Sequence, residues 1–340
     1  MKEIKVGING LGRIGRAFLR MSLNFPEIKV VAVNDLSSLD NLAYLLKYDS
    51  AYGQLKASVE ALDNKLIIDG QEIIFSQEKD PANLAWDKLG VDVVLEATGV
   101  FETFAKSQAH LKAGARRVVI TAPVKDEPPA GVTGGTVLMG INEADLKSFE
   151  ISSNASCTTN SASPLIKILA DAIGVEKAIL NTIHGYTATQ KLVDVADSKD
   201  WRRGRAGAVN IIPSTTGAAI AVTKVITDLA GKFDGLAVRV PVLTGSLVDI
   251  TFIAQKPTTK EEVNEILKQA ATEDKWTNIF TVTEEPLVSS DIVGSPYASI
   301  ADLSFTKVVD GNLVKVLAWY DNEMGYTRTL IDHVIKAADR

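Results

Sequence analysis

Cysteine is nearly absent: one, Cys157, stands among 340 residues, which excludes a disulfide within the chain and suits a reducing compartment. A basic excess is missing too. Lys and Arg number 36 against 42 Asp and Glu, for a formal net charge of −6, so the electrostatic footprint of a nucleic-acid binder is not there. No apolar run approaches the roughly 20 residues that a membrane helix needs. The stretch from Met1 to Ile8 is too short in its apolar part and too charged for a secretory signal. Repeats and low-complexity tracts are lacking, and the loosest segment, Lys125 to Gly135 with Pro128 and Pro129, reads as a surface loop. These exclusions leave a cytoplasmic protein that requires neither membrane nor nucleic acid, and no metal site is expected.

What is present is a hydrophobic fraction of 46%, enough for a large core at a length that suggests two domains. Ile4 to Ile8 forms a short apolar strand, followed by Gly10, Gly12 and Gly15 in the spacing G-x-G-x-x-G and a helix through about Leu23. The first glycine of such a turn permits the bend, the second admits a pyrophosphate close to the backbone, and the third lets helix pack on strand. Val30 to Asn34 makes a second strand, and Asp35, 20 residues beyond Gly15, stands where a carboxylate reads ribose hydroxyls. The runs Val91 to Gly99 and Arg117 to Pro123, separated by a helix, extend a parallel sheet. Thr98, Gly99 and Thr121 fall at strand C-terminal ends, where open sheets bind ligands, or they simply end their strands.

Cys157 sits in Ser153 to Asn160 (SNASCTTN), among small hydroxyl and amide residues just before the helical run Leu165 to Gly174. A cysteine buried for packing is usually bracketed by apolar neighbours, so this one reads as presented, and a nearby helix start favours its thiolate. Pro164 is expected in the first turns of that helix or as a kink in it. There are three histidines. His110 and His333 lie in helical runs and read as surface or packing residues, whereas His184 ends the apolar run Ala178 to Ile183 at the start of a loop. An imidazolium there would hold the thiolate as an ion pair. Beyond this point the strands Leu236 to Pro241 and Gly245 to Ala254 alternate without βαβ spacing. The expected fold is α/β: a Rossmann-type parallel-sheet domain over residues 1–155, then an α+β domain with a mostly antiparallel sheet over 156–324.

Six segments in order resemble the phosphorylating glyceraldehyde-3-phosphate dehydrogenases across essentially the whole chain. They are Ile8 to Arg16 (INGLGRIGR), SNASCTTN, His184 to Gln190 (HGYTATQ), Asn210 to Ala219 (NIIPSTTGAA), Val238 to Pro241 (VRVP) and Trp319 to Tyr326 (WYDNEMGY). The resemblance implies oxidative phosphorylation of glyceraldehyde-3-phosphate to 1,3-bisphosphoglycerate in glycolysis and gluconeogenesis, by way of a cysteine thiohemiacetal and thioester. It implies NAD as cofactor with NADP as a secondary one, inorganic phosphate as a second substrate, and a homotetramer. Cys157 would be the nucleophile and His184 its activator. Gly10, Gly12, Arg13, Ile14, Gly15, Asp35, Lys79, Thr121 and Asn322 would contact the cofactor. Ser156, Thr158, Thr187, Arg202, Thr216, Gly217 and Arg239 would form the substrate and phosphate sites. An S-shaped loop from about Lys191 to Asn210 would lie near a neighbouring subunit's cofactor, and a C-terminal helix over 325–340 would return to the first domain. The chain departs from the family pattern at Leu11, Ser161 and Met324, in an insertion-like stretch from Pro128 to Gly135, and at Val195 and Ala196, where many NAD-specific members carry a proline. Two other functions fit parts of the pattern: erythrose-4-phosphate dehydrogenation by the same machinery, and a non-redox thiol acyltransferase, against which the glycine turn with Asp35 argues.

Overall fold

The computed structural model describes residues 3–198 and 200–339, and within them the chain folds about two large sheets. Lys199, inside the expected S-shaped loop, and Arg340, at the end of the expected C-terminal helix, lie outside the described residues. One compact unit comprises the chain up to Ala155 together with Thr327 onward, and the other is Ser156–Tyr326.

The first unit opens as β1 (Ile4–Asn9), α1 (Arg13–Ser22), β2 (Ile28–Asn34) and α2 (Leu39–Lys47), then a small hairpin of β3 (Tyr48–Asp49) and β4 (Gly53–Gln54). It continues through β5 (Val59–Leu62), β6 (Lys65–Ile68), β7 (Gln71–Ser76), α3 (Trp86–Leu89) and β8 (Val93–Glu96). Then come α4 (Phe104–Lys112), β9 (Arg117–Ile120), β10 (Gly134–Thr136) and β11 (Ile151–Ser153). The sheet order is β10-β11-β9-β8-β1-β2-β7-β6-β5, parallel throughout except for β6 and β5 at one edge. Val, Ile and Leu fill β8 and β9 apart from one charged residue in each, and every residue of β1 but Lys5 is buried, as strands covered on both faces require. The order departs from β1 in both directions, to β2 and to β8, and such a switch point leaves a crevice beyond the strands' carboxyl ends. Lys125 to Gly135, expected as loop, contributes the start of β10. A Cβ on Gly134 would meet Ile151 O at 2.4 Å and one on Gly135 the Phe149 ring at 2.7 Å, so only glycines pair this closely here.

The second unit runs α5 (Cys157–Ile173), β12 (Val175–Gly185), β13 (Ile212–Thr215), α6 (Ala218–Val225), β14 (Phe233–Val240) and β15 (Ser246–Ala254). It ends with α7 (Lys260–Ala270), β16 (Phe280–Thr283), β17 (Ser299–Val309) and β18 (Leu313–Tyr320). Its sheet, ordered β13-β14-β12-β15-β18-β17-β16, is mostly antiparallel; only β12 with β14 and β16 with β17 run parallel. In β15, Ser246, Val248, Ile250, Phe252 and Ala254 are buried and the alternate residues are half-exposed, so one face of the sheet meets the core. On that face lies α5, buried nearly all round, with α6 and α7 against it. It begins at Cys157, well before the apolar run that announced it, and Pro164 therefore sits in its interior.

The last helix, α8 (Met324–Ala338), begins in the second unit and ends in the first. Within the first unit Arg328 stacks on Phe25 at 5.0 Å and Lys336 pairs with Glu143 at 3.1 Å. His333, fully buried, donates from Nδ1 to Asn154 Oδ1 at 3.0 Å and accepts at Nε2 from Ser152 Oγ at 2.7 Å.

Candidate active site

In the first unit the three glycines do separate work. Gly10 has φ +97°, and a Cβ on it would lie 2.7 Å from Thr98 N. One on Gly15 would lie 2.1 Å from Gly10 O, which ties α1 down onto the turn. A Cβ on Gly12 would meet nothing within 4 Å, and no side chain caps α1, so the helix start faces open space where an anion is favoured. Beside it is a cavity of about 400 Å³ lined by Gly10, Gly12, Asp35, Lys79, Val100 and Phe101 among others. The Asp35 carboxylate accepts from Leu11 N and Ser37 N, both at 2.8 Å, which fixes its place at the rim. A dinucleotide fits this arrangement: space over Gly12 for phosphates, a carboxylate for ribose hydroxyls and an apolar wall.

Of the residues expected to contact the cofactor, Gly10, Gly12, Asp35 and Lys79 line that cavity. Arg13, Ile14 and Gly15 form the first turn of α1, but the Arg13 guanidinium is engaged by Asp49 and lies 5.6 Å over the Tyr52 ring. Thr121 follows β9 and its Oγ1 donates to Glu96 O at 3.1 Å. Asn322 belongs to the second unit, where its Oδ1 accepts from Gly245 N and Ser246 Oγ, each at 3.1 Å.

The thiol is built from the start of α5. Ala155 has φ +53° while fully buried, a left-handed conformation that costs an alanine about 1 kcal/mol. This bend leads into Ser156, the N-cap, whose Oγ accepts from Thr159 N at 3.1 Å. Cys157 is thereby the first helical residue, half-buried, with its Sγ 3.4 Å from His184 Nε2. His184 comes from the end of β12, and the parallel register with β14 sets it directly opposite Arg239. That register brings Arg239 Nη1 to 2.6 Å from His184 Nδ1 and 3.2 Å from Gly185 O.

Burial pushes the Cys157 thiol pKa up, while Arg239 and hydrogen bonds from Thr158 pull the other way. Burial, and then the neighbouring guanidinium, pushes His184 down to about 3. Burial thus opposes both charges of the expected thiolate and imidazolium pair, while Arg239 beside Nδ1 favours the thiolate and opposes the imidazolium. A guanidinium only donates, so where it bonds Nδ1 the ring proton sits on Nε2, facing sulfur. Gly185 O also lies 2.6 Å from Nδ1 and offers the opposite partner, an acceptor.

The other expected substrate and phosphate ligands lie on several elements of the second unit. Thr158 is buried and its Oγ1 bonds Tyr320 OH at 2.9 Å. Thr187 follows β12, with its Oγ1 3.1 Å from Thr189 Oγ1. Thr216 and Gly217 lead into α6, with Gly217 as N-cap and open space where its Cβ would be. Arg202 is exposed, and it is Arg203 whose charge bears on Arg239, lowering its pKa after the larger effect of burial. Arg203 also reaches Ser214 Oγ at 3.4 Å from β13, the neighbour of β14. The adjacent arginines in Trp201 to Arg205 look equivalent in sequence, and only the strand register separates them.

Sequence reasoning missed Tyr320. Its hydroxyl joins Thr158 Oγ1 to Thr182 Oγ1 at 2.9 and 2.8 Å, its ring meets His184 edge-on at 6.0 Å, and burial pushes its pKa up. The signal was its place in the WYDNEMGY segment.

Two family descriptions match the chain: "Glyceraldehyde 3-phosphate dehydrogenase, NAD binding domain" over residues 4–104 and "Glyceraldehyde 3-phosphate dehydrogenase, C-terminal domain" over 156–322. Glyceraldehyde-3-phosphate dehydrogenase of Geobacillus stearothermophilus is 47% identical over 331 residues, covering 97% of this chain and 96% of that protein. Glyceraldehyde-3-phosphate dehydrogenase 1 of Kluyveromyces lactis is 47% identical over 97% of this chain and 98% of its own length. The Escherichia fergusonii enzyme is 45% identical over 97% of each. With both halves matched and the similarity running nearly end to end, the chain belongs to the glyceraldehyde-3-phosphate dehydrogenase family.

Proposed function

We propose that the chain is an NAD-dependent phosphorylating glyceraldehyde-3-phosphate dehydrogenase that forms 1,3-bisphosphoglycerate in the cytoplasm, with the first unit as the NAD-binding domain and the second as the catalytic one. The observation that carries this reading is the Cys157 Sγ to His184 Nε2 contact at 3.4 Å, with Arg239 on the other side of the same imidazole.

Bound NAD supplies the hydride acceptor. Cys157 Sγ, its proton held by His184 Nε2, adds as thiolate to the aldehyde carbon, and that proton passes to the carbonyl oxygen to give a thiohemiacetal, which makes the C–H bond a hydride donor. His184 Nε2 takes the hydroxyl proton as the thioester forms. Inorganic phosphate then attacks the thioester carbon, the C–S bond breaks, and the thiolate returns. Arg239 serves anions at both stages, with Arg203 as its cationic neighbour and Arg202, Thr187, Thr216 and Gly217 as further donors. When an anion draws the guanidinium from Nδ1, that nitrogen is free to donate to Gly185 O. The ring proton then sits on Nδ1 and Nε2 is bare, ready to act as the base. The substrate anion thus switches on its own general base.

The test is absorbance of the reduced cofactor after adding glyceraldehyde-3-phosphate, with and without phosphate. Sustained turnover is expected only with phosphate; equal steady-state turnover without it would mean that water accepts the acyl group. Light scattering on the purified protein tests the homotetramer.

A further inference from the structure

We propose that Glu96 is a positioning residue for the dinucleotide, the anionic node that ties together two walls of the cavity in the first unit. The inference rests on reading that cavity as the cofactor site.

Glu96 ends β8 and is buried. Four donors converge on its two oxygens. Oε2 accepts from Asn9 Nδ2 at 2.6 Å and from His110 Nε2 at 3.0 Å; Oε1 accepts from Thr98 N at 2.9 Å and from Thr98 Oγ1. The His110 tautomer is set from behind, because Trp86 Nε1 donates to its Nδ1 at 3.1 Å and leaves the proton on Nε2. From Asn9 the network continues along one wall: Asn9 Oδ1 accepts from Asn34 Nδ2 at 2.7 Å, and Asn34 Oδ1 accepts from Glu78 N at 2.8 Å. From Thr98 it continues along the other, where Thr98 Oγ1 accepts from Val100 N at 3.1 Å. Asn9, Asn34, Glu78, Thr98 and Val100 all line the cavity.

Every partner of Glu96 is a donor, so the position demands an acceptor at both oxygens. A carboxylate supplies that, and an amide of the same shape does not. Glu96→Gln turns an N–H toward at least one buried donor, and whichever side it faces, one wall loses its anchor. His110, which the sequence offered as a surface or packing residue, is thus fully buried in a polar network and takes its role from this carboxylate.

The experiment is calorimetric titration of wild type and Glu96→Gln with NAD and with ADP-ribose, beside steady-state kinetics. Both ligands are expected to bind the variant about 10-fold more weakly, as loss of one charge-assisted contact implies. KM for NAD should rise with kcat unchanged at saturating NAD, a split that general loosening of the fold would not produce. Trp86→Phe keeps the carboxylate but frees the His110 tautomer. It should weaken both ligands about 3-fold, a fraction of a hydrogen bond's worth, and it carries the test if Glu96→Gln does not fold. Folded variants that bind both ligands as tightly as wild type overturn the inference. A wild-type protein that binds neither overturns the cavity's assignment as well.

Discussion

His110 and His184 are both buried imidazoles beside a charged group, and the charges are opposite in sign: a carboxylate for His110 in the first unit, a guanidinium for His184 in the second. His110 has one partner per nitrogen, a donor on Nδ1 and an acceptor on Nε2, so a single neutral tautomer satisfies it. His184 Nδ1 has two incompatible partners, the donor Arg239 and the acceptor Gly185 O, and its Nε2 faces the only thiol in the chain. The same side chain is scaffold where its hydrogen bonds are exclusively satisfied and reactive where they compete.

The hardest blow to that contrast is Cys157→Ser. Activity should fall by several orders of magnitude with NAD affinity kept, because the nucleophile lies in the unit that does not hold the dinucleotide cavity. Residual turnover near wild type would remove His184 from the reactive class. Next in size, Arg239→Leu should lower kcat/KM for glyceraldehyde-3-phosphate and for phosphate by about 1.5 to 3 kcal/mol each, roughly 10- to 150-fold, and leave NAD binding intact. Loss for one anion alone would confine Arg239 to a single subsite.

Acid should act on both units. His184 and His333, held neutral by burial with pKa values near 3, lie below the ordinary 6.5. Between pH 6.5 and 3 the unfolded chain binds more protons than the folded one. The stabilisation is therefore complete above pH 6.5 and is lost as pH falls toward 3, at about 1.4 kcal/mol per pH unit for each histidine. Urea unfolding across that range measures it, and His333→Gln should flatten the slope in the first unit only. The smallest effect sharpens the switch itself. Phosphate should speed alkylation of wild-type Cys157 by iodoacetamide a few-fold near neutral pH and have no effect in Arg239→Leu. Equal rates with and without phosphate in the wild type would show that Arg239 does not govern the tautomer.

Much of the architecture was legible along the chain, because periodicity and glycine spacing are local. The turn at Gly10, Gly12 and Gly15, the carboxylate at Asp35, and the alternation in β15 each follow from neighbours in sequence. A helix start near Cys157 was legible from the apolar run that follows it, but the residue at which α5 begins was not. Its first turns are polar and small, and what makes them helical is the Ser156 cap and the left-handed Ala155 before it. Arg203 was not legible as a neighbour of Arg239 for a similar reason: which of the adjacent arginines bears on Arg239 depends on how the chain meets β13, two strands away from the thiol's histidine.

By itself the sequence determined the two kinds of sheet, the anion-ready turn and the residue types on which the chemistry rests. Only the tertiary structure decided which burial and charges act on protonation. The Cys157 thiol and the His184 ring were expected as an ion pair, since a helix start and a cysteine-histidine pairing both favour charge separation. Burial opposes both charges, and a guanidinium brought to 2.6 Å by strand register opposes the imidazolium while favouring the thiolate. Charge state depends on the free energy of desolvation and on charges distant along the chain, and neither quantity is written in local pattern.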